Sequence, residues 1–451
     1  MDATRLPGTA RPDQVVAHVD MDCFYAACEQ RRDPDLAGEP LVVGMGYEGG
    51  ETHGAVATAS YEAREYGIES AMAISEALER LPRRADAEGG ATTDADTDPA
   101  TGIYRPVDMD YYESVAAEVK EILHAESDTV REVSIDEAYL DVTDTVGWDG
   151  ADAWAGDLRE TIESEVGVVA SVGVAPTMSA AKVASDREKP DGQVVVEPGE
   201  VRDFFADLPV DEVHGVGPVT ARRLSDLGIE TAGDLADADP EPLEGRFGER
   251  GREIWRYARG EDTREVTPHG DPKSLSRESA FIEAVESGEE KRRKVRTLAE
   301  AVADRAHRTE ARYQTIGIKV VEPPFDINTR ARSLPGPVAD ADLVESIALD
   351  LLEEFEDSEV RKLGVRVSNL DFSAGEQASL GGFEGTKETA DSETDSDSDT
   401  VTGDSSAPPA DGQASLTAFD STDSAADADT EKPGDDGADD TDSQASLGDF
   451  E

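Results

Sequence analysis

Twice in this chain an apolar run suited to a buried strand meets a cluster of carboxylates. Val15–Val19 leads into Asp20-Met21-Asp22, and Ser134-Ile135-Asp136-Glu137 leads into the apolar stretch Ala138–Val142. Strand side chains alternate, so Asp20 and Asp22 share one face and Met21 presents the other. Carboxylates held together at neighbouring strand ends repel one another unless cations neutralise them. Mg²⁺ is bound through one or two carboxylates together with waters and substrate phosphates. Two such ions, roughly 3.5–4 Å apart, stabilise the attacking and the leaving oxygen of an in-line phosphoryl transfer. The pattern therefore calls for a sheet core with acidic strand ends and points to metal-assisted phosphoryl chemistry. Either cluster alone reads equally well as an acidic turn in an acid-rich chain.

That acidity is extreme: 102 acidic against 42 basic residues in 451, a formal charge of −60, with 10 Lys and 32 Arg. An acid-rich, Lys-poor surface suits multimolar salt, where the Debye length falls to about 3 Å. The composition predicts the cytoplasm of a halophilic archaeon and does not exclude a nucleic-acid partner. No run approaches the roughly 18 apolar residues of a membrane span, and Met1–Asp13 lacks a signal-peptide pattern. A cytoplasmic protein without membrane contact is expected. Cys23 and Cys28 are the only cysteines, too few for a four-ligand zinc site or a disulfide scaffold, and they read as small packing residues.

From Ser373 the last 79 residues hold 22 acidic and 2 basic residues and few apolar groups. Such a segment cannot offset its ordering entropy and is predicted to be disordered. Ala85–Gly102 reads as an acidic surface loop inserted in a folded region. The body alternates: Phe24–Arg31 helical, Leu41–Gly44 and Ala55–Thr58 extended, Val115–His124 amphipathic, Thr129–Ser134 and Ala138–Val142 extended, Val166–Val174 a strand, and a helix from Ser179. Val201 to about Gly260 is helical, Glu261–Pro272 is a polar linker, and Lys273–Phe372 mixes strands and helices.

Tyr61 and Arg64 lie three apart on one helical face and suit a triphosphate, Arg by bidentate bonds. Lys182 and Lys189 place two of ten lysines close together in sequence. In Val213-His214-Gly215-Val216-Gly217-Pro218-Val219-Thr220-Ala221-Arg222-Arg223-Leu224, the tight Gly215–Gly217 turn before a helix exposes backbone N–H groups. It matches a helix-hairpin-helix element that grips DNA phosphate without reading sequence. Lys273–Arg332 holds 13 basic and 10 acidic residues, an exception in this chain. Its run Lys291-Arg292-Arg293-Lys294-Val295-Arg296 predicts a positive face for a phosphate backbone. Arg330 and Arg332 are candidate DNA contacts. The tail repeats QASLxxF three times, with Gln377, Leu380 and Phe383, then Gln413, Leu416 and Phe419, then Gln444, Leu447 and Phe450. Apolar anchors in a polar tail predict docking into a groove.

Together HVDMDCFYAACEQ, ATASYEAREYGI, SIDEAYLDVT, AAKVASDREKPDG and VHGVGPVTARRL resemble, in order, the motifs of Y-family translesion DNA polymerases of the DinB type, over about residues 14–372. The resemblance implies an α+β right-hand polymerase: a ferredoxin-like palm at 14–27 and 103–197, fingers at 28–84, the insertion at 85–102, a helical thumb with a helix-hairpin-helix at 198–260, a linker at 261–272, an α+β little finger at 273–372, and the acidic tail at 373–451. It implies two Mg²⁺ ions held by Asp20, Asp136, Glu137 and the Met21 carbonyl, with Glu137 beside the primer 3′-hydroxyl. It further implies Tyr25 as the steric gate against ribonucleotides, and Tyr61, Arg64 and Lys189 as triphosphate contacts. Asp22 belongs to the first motif without a clear ligand role. Implied partners are primer-template DNA, dNTPs and the sliding clamp PCNA, for a chain that is otherwise a monomer. QASLxxF resembles the clamp-interacting box but lacks its second aromatic: Glu384, Asp420 and Glu451 stand there. Spacings of 36 and 31 residues span roughly 30–36 Å r.m.s. and let three weak boxes act together, with Gln444–Phe450 expected to dominate. A nucleotidyl cyclase and a non-catalytic DNA- and clamp-binding scaffold are the alternatives. The hairpin and basic stretch argue against the first, and the carboxylate set against the second.

Overall fold

The computed structural model describes residues 14–88 and 100–372; the three QASLxxF boxes and most of the acidic insertion lie outside them. The described residues divide into two compact units that part between His269 and Gly270.

The first unit opens with β1 (Val16–Met21), α1 (Phe24–Arg32), β2 (Leu41–Met45), β3 (Ala55–Ala59) and the short helices α2 (Tyr61–Arg64), α3 (Ile74–Arg80) and α4 (Arg84–Glu88). It continues through β4 (Ile103–Pro106), α5 (Met109–Glu126), β5 (Val130–Glu132), β6 (Glu137–Asp141), α6 (Ala151–Val166), β7 (Ala170–Ala175), α7 (Met178–Arg187) and β8 (Gln193–Val195). Five strands pair in the order β5-β6-β1-β7-β8, and β3-β2-β4 form a separate small sheet. β1 and β7 are buried along their length, the polar side chains of His18, Asp20 and Ser171 included, as strands covered on both faces are. One face packs against α5 and α6 through Val115, Val119, Leu158 and Ile162. On the other, Ala180, Ala181 and Ala184 of α7 lie with Val16, Tyr139 and Ala175. Gly173 permits that close approach, since a Cβ there would stand 2.2 Å from the Ala181 carbonyl oxygen and the Ser185 nitrogen.

Helices α8 (Val201–Ala206), α9 (Pro218–Ser225), α10 (Ala232–Asp237), α11 (Pro240–Phe247) and α12 (Glu249–Ala258) complete this unit. The second unit consists of β9 (Ser274–Val285), α13 (Gly288–Arg308), β10 (Arg312–Glu322), β11 (Asp326–Val338), α14 (Ala341–Leu352) and β12 (Val360–Asp371). Its antiparallel sheet runs β11-β10-β12-β9. Both helices cover one face, where Ile316, Ile318, Val320, Leu363, Val365 and Val367 meet Val295, Leu298, Val344 and Ile347.

Four local expectations are corrected. Val166 ends α6 rather than beginning a strand, because Gly167 at φ 78° forms a left-handed cap. Ala85–Glu88 belong to α4, and Gly102 bridges to Arg83, so the loop is shorter than the acidic composition suggested. Glu261–Pro272 is no free linker at its start: Asp262 and Val266 are buried, and Asp262 accepts the Ser179 N–H at the first turn of α7 at 3.0 Å. The Lys291–Arg296 run is largely engaged within its own unit. Buried Lys291 donates to the carbonyls of Phe355, Glu356 and Ser358, while Arg292 pairs with Glu356 and Arg296 with Glu345.

Candidate active site

Sheet register brings the carboxylates together. Asp20 of β1 faces Glu137 of β6 on one side and Ser171 of β7 on the other. Cross-strand partners point to the same face, so all three side chains rise toward α7. Asp136 sits in the turn before β6, anchored by its carbonyl accepting the Met21 N–H at 3.0 Å. Ser134 Oγ donates to Asp136 Oδ1 at 2.5 Å and accepts the Glu137 N–H at 3.1 Å. Met21 keeps its side chain in the core under the sheet, the alternation read from the sequence.

Two lysines lie among these acids. Lys182 Nζ is 2.8 Å from Asp20 Oδ2, 3.1 Å from Glu137 Oε1 and 3.5 Å from Asp186 Oδ2. Lys189 Nζ is 2.7 Å from the same Asp20 oxygen and 2.8 Å from Asp186 Oδ1. Burial would discharge Lys182, but Asp20, Glu137 and Asp186 hold its pKa above the ordinary value. Burial likewise opposes Glu137 ionisation, and contact with His18 and Lys182 overrides it, holding the carboxyl far below the usual range. Asp136 goes the other way: burial and then the charges of Asp20 and Glu137 raise it, against its Ser134 bond. Carboxylates thus outnumber their cations here, and the most crowded one is already reluctant to ionise. This oxygen-rich donor set with surplus negative charge fits a hard divalent cation. Among the described residues no three such side chains are already placed as a metal site; Asp20 and Glu137, both held by Lys182, and Asp136 in the adjoining turn are the carboxylates that would have to close on one.

Asp22 shares the Asp20 face, as alternation requires, but its carboxylate is taken: it accepts from Ser171 Oγ at 2.9 Å, the Asp191 N–H at 2.8 Å and Tyr61 Oη at 3.1 Å. Nearly buried, it ties β1, α2, β7 and the turn after α7 together. Tyr61 stands at the first turn of α2, capped by Ser60, and exposed Arg64 lies over its ring at 4.8 Å while bonding the Ala59 carbonyl. Tyr25, in the first turn of α1, stacks on Tyr112 with ring centroids 4.7 Å apart and an interplanar angle of 16°. Tyr112 is fully buried and bonds Glu29 Oε1 at 2.8 Å.

Sequence reasoning left three participants without a role. Tyr112 backs the Tyr25 ring. Asp186 holds both lysines. His18, fully buried, bonds Ser185 through Nδ1 at 2.8 Å and brings Nε2 to 3.5 Å from Glu137 Oε2. A histidine two residues before Asp20, on the same strand face, was the available signal for the last.

The hairpin residues also have defined places. Gly215 adopts φ +85° and accepts a bond from Arg250, and Gly217 caps α9, with Pro218 at its first position. The preceding element is a single 3₁₀ turn, Val210–Glu212. Arg330 and Arg332 of β11 stand opposite Ile318 and Ile316, on the helix-bearing face. They pair with Glu354 at 2.5 Å and Asp350 at 3.0 Å. None of the described residues forms a helix long and apolar enough to cross a membrane.

Comparison with known proteins completes the picture. The signature of the impB/mucB/samB family matches residues 19–186, its C-terminal domain matches 272–380, and the family's helix-hairpin-helix motif matches 198–229. A DNA polymerase IV from Halobacterium salinarum is 62% identical over 382 residues, covering 84% of this chain and 91% of the relative. One from Methanoculleus marisnigri is 39% identical, covering 82% and 98%. Among solved structures, a Y-family polymerase chimera of Dbh and Dpo4 is 28% identical with a TM-score of 0.69, covering 79% of this chain and 99% of the chimera. DinB from Sulfolobus solfataricus is 28% identical with a TM-score of 0.53, covering 78% and 98%. The chain belongs to the DNA polymerase IV (DinB) branch of the Y-family translesion polymerases, DNA-directed DNA polymerases by activity. The cyclase and scaffold alternatives fall with that assignment.

Proposed function

We propose that this polymerase adds deoxynucleotides to a primer 3′-hydroxyl at the Asp20–Asp136–Glu137 centre. The observation that carries this reading is the meeting of Asp20 and Glu137 on Lys182, with Lys189 on the same Asp20 oxygen and Asp136 in the adjoining turn before β6. Asp20, Asp136, Glu137 and the Met21 carbonyl would hold two Mg²⁺ ions. Bound there, the ions supply the positive charge that steadies the attacking and leaving oxygens. The protein's own part is positioning and charge balance. Lys189, Tyr61 and Arg64 grip the triphosphate, and Tyr25, backed by Tyr112, bars a ribose 2′-hydroxyl. The Gly215–Gly217 hairpin offers backbone N–H groups to the duplex. An insertion ternary complex of the related Dbh polymerase has been solved, which supports DNA and nucleotide as partners. We assign the second unit's duplex contact to its helix-free sheet face rather than to Arg330 and Arg332, whose guanidinium groups are paired with Glu354 and Asp350. The three QASLxxF boxes recruit the sliding clamp, the last of them most strongly.

The test is primer extension in multimolar KCl with Mg²⁺ and dNTPs, clamp supplied. Extension by wild type, abolished by Glu137→Gln and joined by ribonucleotide use in Tyr25→Ala, is expected. Absence of extension by folded wild type would overturn the reading. Equal loss of clamp pull-down in Phe383→Ala, Phe419→Ala and Phe450→Ala would overturn the ranking of the boxes.

A further inference from the structure

The helix-free face of the second unit carries a charged cluster built by strand register. Leu363, Val365 and Val367 of β12 point to the helices, so Lys362, Gly364, Arg366 and Ser368 point away. Opposite them on β10 stand Val321, Lys319, Gly317 and Thr315, and on β9 Ala280, Glu278, Ser276 and Ser274. Small residues dominate this face, so its cations stand over a low floor. At its centre Glu278 lies between two of them: Oε2 is 2.6 Å from Lys362 Nζ and Oε1 is 3.2 Å from Lys319 Nζ. Gly364 provides the seat, since a Cβ there would come within 2.8 Å of Glu278 Cγ. The three side chains are only 17–24% exposed. Burial raises the Glu278 carboxyl, yet Lys362 and Lys319 hold it below its usual range, so it remains an anion near neutrality.

A carboxylate whose two oxygens are forked between two ammonium groups has the charge and shape of a phosphodiester's two non-bridging oxygens. We propose that Glu278 is a built-in competitor for the DNA backbone, holding between Lys319 and Lys362 the place that a duplex phosphate takes on binding. Binding then exchanges one anion for another at a preformed pair of cations. This rests on the reading that the helix-free face meets the duplex. The exchange suits high salt, where release of counterions drives little association. The lysines are kept in position by an internal anion instead of by mobile chloride, and Glu278 stands on β9, the edge strand of the sheet.

The experiment measures binding of a fluorescent primer-template duplex to the full chain across a KCl series. Glu278→Gln is expected to tighten binding about 3–10-fold and to steepen the dependence of log K on log salt by about one, because the lysines then release mobile anions instead of an internal carboxylate. Lys319→Gln with Lys362→Gln is expected to weaken binding by a similar factor, and adding Glu278→Gln to that pair is expected to change nothing. Thermal unfolding checks each variant's fold, and Glu278→Ser replaces the glutamine variant if that one melts early. Unchanged affinity on loss of both lysines would overturn the reading of the face, and the proposal with it. Weakening on loss of the lysines, without tightening in the Glu278 variants, would overturn the competitor alone and leave the face standing.

Discussion

The same small device occurs in both units: one carboxylate between two lysines. In the first unit Asp20 Oδ2 lies 2.8 Å from Lys182 and 2.7 Å from Lys189; in the second, Glu278 joins Lys362 and Lys319. What differs is the company each keeps. Around Asp20 stand Glu137, Asp136 and Asp186, so four acids face two lysines and the cluster lacks cations. Around Glu278 the same face carries Arg366 among small, uncharged side chains, so two lysines share one acid and the local balance is cationic. On the proposed reading, one centre gains divalent cations and the other a phosphate. In a chain of net charge −60 with ten lysines, placing four of them in these two sites is a larger commitment than it would be elsewhere. Local surplus, not global charge, decides which ligand each site takes.

That contrast can be broken in several ways. Glu137→Gln, which removes one charge without changing shape, is expected to lower single-nucleotide incorporation by at least about 10²-fold, the scale of losing one charge-stabilising group. A smaller drop would mean the acid surplus is not what the reaction uses. Tyr112→Leu leaves every charge in place and removes the ring behind Tyr25. Discrimination against ribonucleotides is expected to loosen about 5–10-fold, on the scale of one aromatic pair, with turnover on deoxynucleotides much less affected. Lys182→Met deepens the acid surplus: melting in EDTA is expected to fall by about 2–6 °C, and Mg²⁺ is expected to restore part of the loss. An equal loss with and without Mg²⁺ would show Lys182 to be a packing residue only.

The smallest effect belongs to a balanced cluster. Asp262 and Arg264 pair one to one beside His214. Burial, and then the Arg264 charge, push the His214 imidazole down to about 4 from 6.5. A histidine with a lowered folded-state pKa contributes its stability fully above about 6.5 and loses it as pH falls toward 4, because the unfolded chain takes up the proton first. Its share is at most about 1.4 kcal/mol per pH unit in that window, less what solvent contact removes. His214→Asn is expected to flatten that part of the acid limb of stability against pH, without altering Mg²⁺ binding.

Much of the first site was legible in the residues. Asp20, Met21 and Asp22 alternate as a strand requires, and Asp136-Glu137 before an apolar run announced a second acidic strand end. Register was not legible: nothing local says that Asp20 faces Glu137, or that seven residues of α7 and its turn bring Lys182 and Lys189 onto one oxygen. Nor was it visible that Asp22 would meet three donors from distant segments. In the second unit, composition pointed to basic residues without saying which face they serve. Arg330 and Arg332 read as DNA contacts in a basic stretch, and period-two alternation on an edge strand places them with Ile318 and Ile316 beside Glu354 and Asp350. Lys291 read as surface charge because a buried lysine donating to three carbonyls leaves no mark in sequence. Glu278 drew no notice, since a single acid in an acidic chain has no pattern to stand out from.

Mn²⁺ binding to the full chain, followed by electron paramagnetic resonance with primer-template and a non-hydrolysable dNTP, tests most directly whether local surplus decides the ligand. The expected result is tight Mn²⁺ uptake that Asp20→Asn and Glu137→Gln each weaken at least about 10-fold, while Glu278→Gln leaves it unchanged. Mn²⁺ uptake indifferent to Asp20 and Glu137, or weakened equally by loss of Glu278, would contradict the division between a cation-seeking and an anion-seeking site.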